Sequence, residues 1–89
     1  MIAAVCQGGK WGFINADGDV VVEYKYAAAK SFKNGMAAVQ VSGKWGYIGT
    51  DYAMKIAETF DEAEDFTKKG SAFVKEGNQW RMIQIYRLA

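Results

Sequence analysis

At 89 residues the chain is one domain near the lower size limit for independent folding, and 51% of it is apolar, with ample aromatic material for a core. Eleven basic against ten acidic side chains leave a net charge of +1, which argues against a direct nucleic-acid coat protein with its basic stripe. With no histidine, Cys-His and Ser-His-Asp catalysis are impossible; one cysteine allows no intrachain disulfide; no apolar run reaches the length of a membrane helix.

From Ile2 to Cys6 the chain is short, apolar and free of breakers, as a strand requires. The segment lacks the positive flank of a signal peptide, so a cytoplasmic location is expected. Gly8-Gly9 supplies the positive φ of a tight turn, and Lys10 to Asn15 completes a hairpin. Asp17-Gly18 signals a second turn into the β-branched run Val20-Val21-Val22, a third strand. Tyr26, Ala29 and Phe32 then lie three apart, which predicts a helical turn or two, with Gly35 as its left-handed cap.

From Met36 the same text begins again. Ile2-Ala3-Ala4-Val5 is matched by Met36-Ala37-Ala38-Val39, Lys10-Trp11-Gly12 by Lys44-Trp45-Gly46, and Phe13-Ile14 by Tyr47-Ile48. Phe60, Ala63, Phe66 and Gly70 follow as Tyr26, Ala29, Phe32 and Gly35 did, with one extra residue expected at Lys68-Lys69. Ala72, Val74, Trp80 and Ile83 open a third copy, with Gly77-Asn78 at its turn. A chain that reuses one phrase builds its fold by stacking like units. We expect a single mainly β domain over residues 1–89, with stacked antiparallel three-strand units at about 1–35, 36–70 and, truncated, 71–89, joined by short helical turns.

The phrase from Gly9 to Ile14 and from Gly43 to Ile48, with aromatics downstream, resembles the WG-repeat (KWG) family. The likeness spans nearly the whole chain. It departs at Gln79-Trp80-Arg81, which loses both Lys and Gly, and in having no proline. What the resemblance implies is an interaction repeat rather than an enzyme.

Identical placement in each copy makes Trp11, Trp45, Trp80, Phe32 and Phe66 candidate core residues. Gly12 and Gly46 are expected to be sockets into which a ring from the neighbouring unit docks, and Arg81 a solvated cap where no socket is needed. Cys6 reads as a small buried residue. The acidic run holding Glu58, Asp61, Glu62, Glu64 and Asp65 lacks the alternation of a calcium loop and reads as a polar face able to meet a basic partner. Tyr24 and Tyr52 are candidate exposed anchors. No catalytic residue, metal site or cofactor is indicated. The expected function is a non-enzymatic module binding a protein partner. The alternative is a compact inhibitor of a larger enzyme or nucleoprotein complex, of the phage anti-CRISPR type. A homodimer through the strand edges at Ile2–Cys6 and Ile83–Arg87 is also expected.

Overall fold

Three hairpins repeat down the chain in one register. They are β1 (Ala3–Gln7) with β2 (Lys10–Ile14), β5 (Met36–Val41) with β6 (Lys44–Gly49), and β9 (Ser71–Glu76) with β10 (Gln79–Gln84). Val5 faces Gly12, Val39 faces Gly46 and Val74 faces Arg81. The turns Gly8-Gly9, Ser42-Gly43 and Gly77-Asn78 hold both residues at positive φ, the two-residue geometry that matches strand twist. The structure, a computed structural model, describes residues 2–85.

Third strands follow in the first two units: β3 (Val20–Tyr26) on β2 and β7 (Met54–Phe60) on β6. Each shifts register twice, the larger shift opposite the Trp-Gly glycine and a smaller one a residue further along, between Phe13 and Ile14 or Tyr47 and Ile48. Trp11 and Phe13 pair with Tyr26 and Val22, and Trp45 and Tyr47 with Phe60 and Ile56. The third strand therefore carries two surplus residues opposite the glycine, a local overwinding of the ladder.

The expected helical turns are absent. Tyr26–Phe32 and Phe60–Phe66 are extended corners carrying β4 (Ala28–Ala29) and β8 (Glu62–Ala63). Their backbone bonds go outward, to the first strand of the next unit: Ala27 and Lys30 donate to the carbonyls of Gln40 and Ala38, and Asp61 and Glu64 to those of Lys75 and Phe73. A backbone amide committed to a neighbouring strand cannot also close a helix turn. Gly35 and Gly70 do have positive φ, but inside turns. Asn34-Gly35 makes a two-residue turn between Lys33 and Met36, and Lys68-Lys69-Gly70 a three-residue one between Thr67 and Ser71. The extra residue of the second unit falls where the alignment put it.

Each corner leaves one sheet and joins the next, giving the orders β1-β2-β3, β4-β5-β6-β7 and β8-β9-β10. The central hairpin is buried on both faces. Ala37, Val39 and Ile48 pack with Phe13, Val22 and Tyr26. Met36, Ala38 and Tyr47 pack with Phe60, Ala63, Phe66, Ala72 and Val74. One aromatic contact recurs: Phe13 against Phe32 at 5.2 Å, and its counterpart Tyr47 against Phe66 at 4.7 Å between ring centres. The units thus lean on each other face to face, as stacked repeats must. Among the described residues no helix is long and apolar enough to cross a membrane.

Candidate interaction surface

The two Trp-Gly glycines owe their place to backbone rather than to rings. A Cβ on Gly12 would lie 2.5 Å from the Val22 carbonyl oxygen, and one on Gly46 would lie 2.6 Å from that of Ile56 and 2.8 Å from the Glu58 nitrogen. The expected aromatic socket is therefore corrected: the bulge of the unit's own third strand fills the space. Arg81 is tolerated because among the described residues no third strand crosses β10. Its guanidinium meets Glu76 at 3.0 Å and sits over the Phe60 ring.

The tryptophans occupy the sheet margin. Trp11 and Trp45 are half-buried, next to their unit's turn and opposite the last residue of the third strand, with Lys30 over the Trp45 ring at 5.3 Å. Among the described residues Trp80 has no such strand beside it, and it is 47% exposed, so its placement in the core is corrected. Phe66 is buried and Phe32 half-buried. Cys6 is exposed on β1, beside Gln7, which leads into the Gly8-Gly9 turn, so its expected burial is corrected.

The acidic run divides into parts with different duties. Asp61 is a clamp: its carboxylate accepts from Lys44 Nζ through Oδ1 and from the Gly77 amide through Oδ2 at 3.0 Å, tying the second unit to the third turn. Glu62 pairs with Lys75 at 3.6 Å. The Lys44 ammonium, and then the Gly77 N–H, hold the Asp61 carboxyl below its ordinary range. A lowered native pKa stabilises the fold above the unfolded value of 3.8, and that contribution is lost as pH falls through the native one. Asp51, lowered by Lys55, acts with the same sign. Asp61→Asn should therefore melt below the parent at neutral pH, and the gap should close on acidification below 3.8. A gap unchanged with pH would show that the clamp acts through shape alone.

Glu58, Glu64 and Asp65 are exposed and form no ion pair among the described residues. Burial, then the charges of Asp65 and Glu64, push the Tyr47 phenol well above its ordinary pKa, so it stays a neutral donor. Burial, then Glu58, raises Tyr26 likewise. The backbone under Glu64 and Asp65 is pinned from three sides. Lys30 Nζ donates to the Ala63 carbonyl at 2.7 Å, the Tyr47 hydroxyl to that of Glu64 at 2.6 Å, and Asn34 Nδ2 to that of Phe66 at 2.7 Å. These two carboxylates are thereby held out from a fixed stretch of chain.

Tyr52 is half-buried rather than free. It has φ 66° at the place where the first unit has Gly18, a conformation that costs a bulky residue about 1–2 kcal/mol. Its ring meets Phe32 edge-on at 6.2 Å. It lines a hollow of about 410 Å³ with Ile2, Phe32 and Thr50, and a second with Lys25, Tyr26 and Glu58. Tyr24 is half-buried on the bulged strand and lines neither. The structure thus brings Tyr52 to Glu58 and sets Glu64 beside Asp65, as two separate groups.

Sequence reasoning missed the apolar face of the last hairpin, where Phe73, Trp80 and Met82 are about half exposed. The signal was there: Phe73 and Met82 stand where the second unit has Ala38 and Tyr47.

A family model described as a WG containing repeat matches residues 11–45 and again 45–80. No curated protein and no solved structure matches the chain.

Proposed function

The chain belongs to the WG-repeat family, and from that premise we propose that it is a non-enzymatic interaction module, working in the cytoplasm, that binds a protein partner carrying basic side chains. The observation behind this reading is the pinned corner at residues 61–66. Three hydrogen bonds from other segments fix its carbonyls, and Glu64 and Asp65 project from it without ion partners among the described residues. Fixing a binding strip beforehand removes much of the ordering cost of association. Charge complementarity then speeds encounter and rejects acidic competitors. Tyr52 and Glu58 form a separate group, an aromatic wall and a carboxylate in a hollow that also holds Lys25.

The test is a capture of the partner from native lysate with the parent chain, identification by mass spectrometry, and titration with the purified partner. Glu64→Lys with Asp65→Lys should weaken binding at least tenfold, and raised salt should weaken the parent in the same direction. The melt should hold, because both side chains are exposed. Undiminished affinity in the double variant would overturn the reading. Asp61 and Glu62 are unsuited to this test, since their loss would disturb the fold. The identified partner's activity, with and without the module bound, then separates an adaptor from an inhibitor.

A further inference from the structure

Among the described residues the apolar packing between successive units lays one face of a hairpin on the opposite face of the next. The first unit presents Ala4, Trp11 and Phe13, with Phe32, to Ala37, Val39 and Ile48 of the second. The second unit presents Ala38, Tyr47 and Phe66 to Ala72 and Val74 of the third. Call the first kind of face leading and the second kind receiving. The alternation of side chains along a strand makes each hairpin carry one of each.

One leading face and one receiving face are left over among the described residues. The third hairpin's leading face carries Phe73, Trp80 and Met82, 54%, 47% and 56% exposed, whereas Tyr47 and Phe13 at the place of Met82 are fully buried. Phe73 and Met82 are direct cross-strand partners, and Trp80 shares their face one step along the ladder. The first hairpin's receiving face carries Ala3, Val5 and Ile14, all half-buried, whereas their counterparts Ala37, Val39 and Ile48 are at most 1% exposed. A run of exposed large apolar side chains on one face marks a binding surface.

Phe73 argues that this face is built to be covered. In the first two units the ring that caps the leading face arrives from downstream, as Phe32 and Phe66. Those hairpins keep a small alanine, Ala4 or Ala38, opposite the core ring. The third has Phe73 in the alanine's place and so supplies the bulk itself. What such a surface fits is a flat face of small aliphatic residues, and the protein exposes one at its other end.

We propose that the leading face at Phe73, Trp80 and Met82 takes the receiving face at Ala3, Val5 and Ile14 of a second copy, continuing the internal stacking from one molecule to the next. The contact is head to tail, so an open assembly of any size keeps one free face of each kind, and growth ends only by ring closure or dilution. It uses faces rather than the expected edges at Ile2–Cys6 and Ile83–Arg87, the end of the second of which lies outside the described residues. It is also separate from Glu64 and Asp65, so its failure leaves the partner-binding reading standing.

The test uses the parent chain and two single variants in sedimentation velocity, from about 1 μM to about 1 mM, the range that spans weak to moderate specific association. The parent should shift to larger species with concentration. Phe73→Glu, which blocks the leading face, and Val5→Glu, which blocks the receiving face, should each sediment as monomers with a folded circular-dichroism spectrum. Ala3→Lys replaces Val5→Glu if that variant unfolds. Mixed in equal amounts, the two variants should form a dimer and nothing larger, because the mixture holds one intact leading face and one intact receiving face. A parent that stays monomeric throughout overturns the proposal. So does association that survives either block alone, which edge pairing or a leading-to-leading contact would give.

Discussion

Tyr47→Ala should remove about 3–5 kcal/mol of stability, the range for deleting a buried aromatic. That is a large share of the roughly 5–15 kcal/mol holding a domain together. Tyr47 is fully buried, faces Phe66 edge-on at 4.7 Å, and donates its hydroxyl to the Glu64 carbonyl. Removing it empties the middle of the second core and unpins the acidic corner in one step. Tyr47→Phe separates the two effects. It keeps the ring and should cost only about 1 kcal/mol, the usual worth of a hydrogen bond with a neutral acceptor. Urea unfolding with a constant slope checks both values. The native phenol ionises less readily than the unfolded one, so its contribution is intact below the unfolded pKa of 10.0 and fades as pH rises past it. Tyr47→Phe should accordingly lose less stability than the parent at alkaline pH. Trp45→Ala, at a half-buried margin, should fall well below the tyrosine deletion; if it matched, the repeat tryptophan would be the core residue its recurrence suggests.

The parts of the fold legible from the sequence are those set by neighbouring residues. Gly8-Gly9, Ser42-Gly43 and Gly77-Asn78 announce their turns because the positive φ is a local demand. The shift at Lys68-Lys69 is legible for the same reason, since one extra residue turns a two-residue loop into a three-residue one. The corners were not legible. A spacing of three suits a helix as well as a chain that changes sheet, and the choice depends on acceptors such as Gln40 and Lys75, more than ten residues away. Trp80 misleads in the same manner. Its surroundings in other copies come from a third strand and a capping ring that its own hairpin lacks among the described residues. The candidate site was half legible. Glu64 and Asp65 stand out as charges, but Asp61 looks the same in sequence and is spent on Lys44 and Gly77.

Gly46→Ala should destabilise by about 1–3 kcal/mol, although alanine normally improves on glycine in an ordered segment. Neither Gly46 nor Gly12 has positive φ, so the objection to a side chain is space alone. The new methyl carbon would sit within 3 Å of three backbone atoms, the Ile56 oxygen and the Glu58 nitrogen and Cα. Backbone in a hydrogen-bonded strand cannot swing aside as a side-chain tip can. It must either flatten the bulge, which breaks the pairing of Trp45 with Phe60 and Tyr47 with Ile56, or part β6 from β7. Gly12→Ala should show the same loss, since its nearest backbone contact is 2.5 Å, and the two should add because they lie in different sheets. Position 81 supplies the control. It has the register of Gly12 and Gly46 but no crossing strand among the described residues, so Arg81→Gly should cost no more than the ordinary glycine penalty of about 0.5–1 kcal/mol beyond loss of the surface pair with Glu76 and of the guanidinium over the Phe60 ring. Thermal melts of the three variants decide the matter. If alanine is harmless at 46 while glycine is harmful at 81, the bulged third strand is not what keeps the Trp-Gly pair in each complete unit.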